Sequence, residues 1–266
     1  MTVSAYQFAF NGLTFGAGTP YIVENVDGLG GTSPLRIQDD NRGYIDGSYS
    51  GRDFYDGRTV TFDILITGDS TYNAQYYYKT MQAAFAVQPL GYYVDPTGGT
   101  PAASQLQLFQ YQLTSDTGPK RMYGRARGIT LSITPEFGFG YIMCRAEFFF
   151  PDPRYYDETA TTGTGTSITL SNTGWATSCP VITIASPSAN GNITDGTTTM
   201  YFTSVTTSQT LTIDLLQRVI YTGSTPARNL LNANTTGWLS IAPNTSSVTW
   251  TSTVGSMSVP YRNAYV

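Results

Sequence analysis

The chain has 266 residues, with 14 Lys/Arg against 18 Asp/Glu, a formal net charge of −4 and no histidine. Without imidazole there is no Ser-His-Asp or Cys-His triad, no histidine metal ligand and no proton shuttle near neutral pH. The acidic balance gives no general attraction to nucleic acid, and 14% aromatics with only 12% charged residues is the reverse of a disordered composition.

The first element is a hairpin. Tyr6–Phe10 and Leu13–Phe15 alternate apolar and polar residues around Asn11-Gly12, the pair that supplies two positive-φ positions to a type I′ turn. Tyr21 to Glu24 continues as a strand. Residues 27–57 hold Gly, Asp, Ser, Arg and scattered Tyr with no long strand; a loop of that length is functional or is ordered by a partner. Arg58 to Ile66 is a strong strand, with Val60, Phe62, Ile64 and Ile66 on one side. Asp69-Ser70 caps a helix from Thr71 to about Val87, with Tyr77, Met81, Ala84 and Phe85 on one face and Pro89 and Gly91 as its stop.

Strands follow at Leu106–Leu113, Lys120–Thr134 and Tyr141–Phe150. On the second of these Arg121, Tyr123, Arg125 and Arg127 share a face, and Gly128 marks a bulge because Ile129, Leu131 and Ile133 share their parity. On the third, Arg145 and Glu147 lie opposite Cys144, Ala146, Phe148 and Phe150.

Composition changes near residue 158. Residues 1–158 contain 11 Lys/Arg and 16 Asp/Glu; residues 159–266 contain 3 and 2, with Trp175, Trp238 and Trp250. Glu158–Thr166 is small and polar, as a linker would be. Two domains, 1–158 and 159–266, are therefore expected. The second should be an antiparallel sandwich or jelly roll of short strands at Ser167–Leu170, Val181–Ile184, Thr199–Val205, Leu211–Leu215, Arg218–Tyr221, Trp238–Ile241, Val248–Thr251 and Met257–Tyr261. Met1–Ala5 lacks a basic region followed by an apolar run, so no signal peptide is predicted, and no stretch approaches a membrane span. Two cysteines, Cys144 and Cys179, make neither a disulfide framework nor a zinc site.

A search for chemistry finds little. Asp39, Asp40, Asp46, Asp53 and Asp56 share the long loop with Arg36, Arg42, Arg52 and Arg58, which are expected to pair with them. Glycoside hydrolysis needs two carboxylates at fixed separation, and a Gly-rich loop holds them poorly. Asp39–Gly43 faintly matches a calcium loop, but its glycine is a position early and Ser50 stands where the bidentate Glu belongs. The face of Arg121, Arg125 and Arg127 is either a solvated strand face paired with Glu147 or a subunit contact, since Arg and Tyr anchor interfaces. Candidate contact residues are Arg36, Arg42, Asp46, Arg52, Tyr55, Arg58, Arg121, Arg125 and Arg127. Trp250, in an alternating strand, reads as core. Trp175 and Trp238 follow loop glycines, which makes them candidate sugar contacts.

Several short motifs in order carry a resemblance: Phe10–Gly16, Pro20-Tyr21, Gly28-Leu29, Asp46-Gly47, Asp56–Phe62 and Ile66–Gly68; then Arg145–Tyr155; then Asn172–Gly174, Pro180–Ile184, Leu211–Asp214 and Trp238–Asn244. In this run the chain resembles the distal tail proteins (minor tail or tail-tip proteins) of phages with long non-contractile tails. The resemblance implies an all-β fold with one flanking helix: an N-terminal β-barrel or sandwich that forms a ring, and a C-terminal galectin-like β-sandwich. It also implies a structural virion protein made in the host cytoplasm and placed at the tail tip. Six copies would join the tail tube protein to the hub or tail-associated protein and to receptor-binding or fibre proteins. No catalytic residue, cofactor, metal, nucleic acid or membrane insertion is implied. The alternatives are a cell-surface polysaccharide-binding tail protein, a major tail-tube subunit and, from the loop carboxylates, a polysaccharide-degrading enzyme.

Overall fold

The computed structural model describes residues 3–31, 33–37, 39–41, 46, 48–49, 51, 53–86, 91–93, 102–104, 106–114, 116–132 and 134–266. The chain divides into two compact units, one made of 1–91 and 105–153 with the last residue, the other of 92–104 and 154–265.

In the first unit β1 (Gln7–Phe10) and β2 (Leu13–Gly16) form the expected hairpin, with Asn11 at φ 45° and Gly12 at φ 82°. Next come β3 (Tyr21–Asp27) and four two-residue strands, β4 (Leu35–Arg36), β5 (Asp40–Asn41), β6 (Ser48–Tyr49) and β7 (Phe54–Tyr55). They are followed by β8 (Arg58–Thr67) and the helix α1 (Thr71–Phe85); β9 (Gly91–Tyr93) then pairs with β10 (Ala102–Ser104), in a segment of which residues 92–104 belong to the second unit. β11 (Gln107–Gln112), β12 (Lys120–Ser132) and β13 (Tyr141–Phe150) complete the run. The main sheet is antiparallel, in the order β2-β1-β11-β12-β13-β8-β3.

β12 belongs to both halves of this sheet. Its residues 120–124 pair with β11 and its residues 125–132 pair with β13. The register shifts between Ala126 and Gly128, so Arg127 is the extra residue of a bulge. The bulge turns Ile129 and Leu131 opposite the inward-facing Ala146 and Cys144, although they share odd parity with the outward arginines.

The core between the two halves is aromatic. Phe8 meets Phe62 edge-on at 5.0 Å, and Phe148 meets Phe10 and Phe85 at 4.9 Å each. Such pairs add about 0.5–1.5 kcal/mol each to the burial of their area. Val60, Phe62, Ile64 and Ile66 are all buried, as their alternation predicts. Helix α1 starts where the Ser70 hydroxyl accepts from the Asn73 amide, and buries Ala74, Met81, Ala84 and Phe85. Asn11 serves two elements: it occupies the turn and its side-chain amide donates to the Ala84 carbonyl at the helix end.

The second unit is a sandwich. Its strands are β14 (Tyr155–Asp157), β15 (Thr161–Gly165), β16 (Ser167–Asn172), β17 (Val181–Ile184), β18 (Gly191–Thr194), β19 (Thr199–Phe202), β20 (Leu211–Asp214), β21 (Val219–Thr222), β22 (Thr225–Pro226), β23 (Thr245–Ser252), β24 (Met257–Tyr261) and β25 (Ala264–Tyr265). One sheet has the order β15-β24-β17-β20-β21-β22, the other β16-β23-β18-β19. Ile182, Ile184, Leu211, Ile213, Met257 and Val259 from the first close on Ile168, Leu170, Ile193, Met200, Phe202 and Trp250 from the second.

Three expectations are corrected here. Thr161–Gly165 lies within the segment read as a linker and is instead an edge strand on β24; small polar residues suit an edge as well as a linker. Gly191–Thr194 is a strand that its Gly and Asn content concealed. Trp238–Ile241 is irregular: Leu239 and Ile241 are buried, and Ile241 makes an isolated bridge with Ser178. Its alternation reported burial rather than ladder pairing.

Candidate functional site

The loop of residues 27–57 is anchored before it leaves the first unit. Gly28 adopts φ 82°, and a Cβ there would lie 2.2 Å from the Thr59 carbonyl oxygen. Arg58 then holds the same segment. It is only 2% exposed; its guanidinium donates to the Leu29 carbonyl at 2.7 Å, to the Ser33 hydroxyl at 2.7 and 3.1 Å, and to the Gly31 carbonyl at 3.4 Å. Arg58 is therefore a fastening inside the fold and not a contact on its surface, which corrects the expectation for this residue. Its place at the buried start of β8 made the difference.

Beyond this anchor the chain leaves and returns as an antiparallel arm. Leu35 pairs with Tyr55 and Arg36 with Phe54; further out, Asp40 pairs with Tyr49 and Asn41 with Ser48. The Asp56 amide donates to the Pro34 carbonyl at 2.8 Å and closes the base. The arm exposes apolar side chains: Leu35, Phe54, Tyr55 and, at 64%, Ile37. Arg36 lies over the Phe54 ring at 5.4 Å. Asp39 accepts from the Gly51 amide, so this acid supports the arm. Asp46 is exposed; Arg42 and Arg52 lie outside the described residues.

The base of the arm meets the arginine face at Phe149. A Cβ on Gly57 would lie 2.6 Å from the far end of that ring, so a larger residue there would push the ring aside. Arg127 covers the ring at 3.9 Å and Arg125 at 5.8 Å. Arg125 and Arg127 are exposed and Arg121 half-buried on the same face. Further along this face, Arg145 approaches Asp63 at 3.9 Å. The structure thus brings together Arg36 and Tyr55 on the arm, and Arg125 and Arg127 at its root. The sequence reading missed Phe149, Phe54, Leu35 and Ile37. The odd parity of Phe149 beside Glu147 and Arg145 was the available signal.

Elsewhere in this unit no ladder joins β2 to β3 among the described residues. A cavity of about 640 Å³ lies there, lined by Tyr6, Phe8, Ala17, Ile22, Val23 and Leu113 among others. Among the described residues, no three His, Cys, Asp or Glu side chains are grouped to hold a metal, and no helix is long and apolar enough to cross a membrane. Cys144 is buried, and burial pushes its thiol up to about 12.

In the second unit Trp250 is fully buried, as its alternating strand predicts. Trp238 is half-buried against the core, while Trp175 is 57% exposed. The two candidate sugar contacts therefore occupy different environments.

These features define an all-β chain of two antiparallel units with one flanking helix. The same fold occurs in the crystal structure of SPP1 Dit (gp 19.1), described as a paradigm of the hub adsorption apparatus in phages infecting Gram-positive hosts. The likeness has a TM-score of 0.69 at 12% identity and covers 99% of this chain and 100% of that one. Chains of the phage P2 baseplate in its activated conformation are also similar. With Ca the TM-score is 0.49 at 9% identity, and with Sr 0.47 at 10%; each covers 97% of this chain and 98% of the other. No family model and no curated protein sequence matches the chain.

Proposed function

We propose that this chain is a non-enzymatic structural subunit of a phage tail tip. Six copies form a ring that joins the tail tube to the hub. Residues 1–158 carry the ring contacts, and residues 159–266 form a galectin-like platform for receptor-binding or fibre proteins. End-to-end likeness in fold to SPP1 Dit supports this reading.

The observation that carries it is the arm. An isolated pair of strands is marginally stable in water, yet this one, held by two-residue ladders, exposes Leu35, Ile37, Phe54 and Tyr55. Apolar surface of this kind marks a contact with a partner. Arg125 and Arg127 at its root add the planar cations that interfaces favour.

Mass photometry and negative-stain imaging of the purified chain test the reading. Closed rings are expected, alone or with tail partners. Arg125→Glu and Tyr55→Ala should each weaken association roughly tenfold, the equivalent of about 1.4 kcal/mol, with the melting of the monomer unchanged. A chain that stays monomeric at every concentration and with its tail partners would overturn the proposal. Long tubes would assign it to the tube itself.

A further inference from the structure

Two aromatic side chains of the first unit are more exposed than Ile37, Phe54 or Tyr55 on the arm. Tyr72, in the first turn of α1, is 77% exposed, and so is Phe139, in the 3₁₀ turn Pro135–Phe139 between β12 and β13. The two elements are joined. The Thr71 hydroxyl donates to the Gly138 carbonyl at 3.3 Å, and the Gly68 amide donates to the Gly140 carbonyl at 2.9 Å. A Cβ on Gly140, at φ 87°, would lie 2.6 Å from the Gly68 carbonyl oxygen, so the segments meet backbone to backbone. Tyr72 and Phe139 are each one residue from this joint. Tyr76 follows Tyr72 on the same helix face and is also exposed. Phe139 has no polar atom to hydrate, and apolar surface of this kind marks a contact.

Two carboxylates border the patch. Asp69 accepts from the Asn73 side-chain amide at the start of α1, and Glu136 lies in the first turn of the 3₁₀ segment. Both are exposed, and a hydrogen bond from Thr134 holds the Glu136 carboxyl below the ordinary carboxylate range. Lys79 lies two turns further along α1, and with it counted the patch is still net negative.

The arginine face has the opposite character and lies elsewhere on the unit. Met81 of α1 meets Cys144 at 3.7 Å, on the inward side of β13, whereas Arg125 and Arg127 lie over Phe149, on its outward side. Along β13, Phe149 is also about 25 Å from Tyr141, where the strand leaves the 3₁₀ turn. One copy cannot bring its own arginines to its own patch. Arg145 on this face approaches Asp63, but among the described residues neither Arg125 nor Arg127 has a carboxylate partner. With Glu147 counted, the face is still net positive.

We propose that the patch of Tyr72, Tyr76, Phe139 and Glu136 receives Arg125 and Arg127 of a second copy of this chain. The inference rests on the ring reading above and names the surface that those arginines meet. The charges are complementary. A guanidinium grips carboxylates with its planar fork and packs on aromatic rings, and Tyr and Arg are the residues that anchor interfaces. The two surfaces lie on opposite sides of one unit and toward opposite ends of β13, so the contact is head-to-tail. Such a contact leaves one surface free at each end until the copies close into a ring, whereas a surface that met itself would stop at a dimer.

Sedimentation velocity on two full-chain variants tests this. Tyr72→Ser/Glu136→Lys/Phe139→Ser removes the patch and keeps the arginines; Arg125→Glu/Arg127→Glu does the reverse. Each alone should associate roughly thirtyfold or more weakly than the wild type, with its melting unchanged. Mixed in equal amounts at high concentration, they should form one-to-one pairs that grow no further, because each supplies the surface the other lacks. Glu136→Lys alone, at a fully exposed side chain, should weaken association roughly tenfold and guards against a folding defect in the triple variant. A mixture that stays monomeric, or patch variants that assemble like the wild type, overturns the proposal; closed wild-type rings would then leave the ring reading standing. A wild-type chain that is monomeric by itself at every concentration overturns the proposal, and one that stays so with its tail partners overturns the ring reading as well.

Discussion

The two units solve the same problem, closing antiparallel sheets around a core, with different materials. The first uses long strands, up to 13 residues, and interlocked phenylalanine rings. It also buries a cation, Arg58, to fasten a loop. The second uses short strands, a core mostly of Ile, Leu, Val and Met around Phe202 and Trp250, and a buried neutral amide, Asn172, to fasten its loops. Charge follows nearly the same division: 23 charged residues lie in the first unit and 9 in the second, four of those 9 before position 159. The first unit places part of its charge on the exposed arm and the arginine face. A nearly chargeless sandwich keeps its polarity in Ser, Thr and Asn, whose bonds are made within the unit.

The largest test of this contrast is Arg58. Arg58→Glu would place a carboxylate against the carbonyl oxygens of Leu29 and Gly31. It should cost about 3 kcal/mol or more, because hydrogen bonds to a charged group are worth about 1.5–3 kcal/mol and the new carboxylate would be buried facing acceptors. Peptide-resolved hydrogen exchange should show lost protection in β3, β8 and the arm, with the second unit unaffected. Unchanged protection would mean that the fastening is dispensable.

Asn172→Ala is the counterpart in the second unit. Three carbonyls and two amides lose a bond; the Ile241 and Ala242 carbonyls keep those from the Ser178 amide and the Thr245 hydroxyl, and each group left buried and unsatisfied costs about 1–3 kcal/mol. Some of these groups would find water, so a total near 3 kcal/mol is expected. Exchange should rise in residues 172–176 and 241–244 and nowhere in the first unit. If the loss spreads to the aromatic core, the units are not separable in the way proposed.

The smallest effect is in pH dependence, and it too differs between units. Burial raises the Cys144 thiol from 9.0 to about 12 and Tyr21 from 10.0 to about 12. Both groups hold their protons longer in the folded state than in the unfolded one. Stability of the first unit should therefore be level at neutral pH and fall as pH rises from about 9 toward 12. In the second unit burial raises the Asp214 carboxyl, against hydrogen bonds from the amides of Gln217 and Leu216 that favour its charged form. The folded state again binds the extra proton, so this unit loses stability as pH rises from the ordinary carboxylate range through the raised value. Denaturant melts across pH should show the alkaline slope reduced in Cys144→Ala, with the remainder due to Tyr21, and the acidic slope removed in Asp214→Asn. A slope that survives its own variant belongs to other groups.

Much of the fold was legible in the residues. Asn11-Gly12 announced its turn, Ser70 its helix, and alternation on β8 and β13 assigned each side chain to the right face. A bulge at Gly128 was legible because apolar and charged residues with the same parity cannot share a face; the extra residue is its neighbour Arg127. The candidate site was only partly legible. Arg125 and Arg127 lie where their strand suggests, but Arg58 is buried, Phe149 showed only in its parity with Arg145 and Glu147, and the apolar side of the arm carried no distinguishing pattern.

Local chemistry accounts for that division. Turn, cap and alternation signals act between residues a few positions apart, so the sequence by itself determined the β-rich class, the single helix and the inward faces. Long-range approach settled the rest. Arg58 is internal because Leu29, Gly31 and Ser33 fold back over it. Thr161–Gly165 is a strand because β24, nearly a hundred residues later, supplies the partner its own composition does not demand. Trp175 is exposed because Asn172 and Ala264 hold its loop, whereas Trp238, after a similar glycine, meets a core. Burial belongs to what a residue meets, and only the tertiary structure decides that meeting.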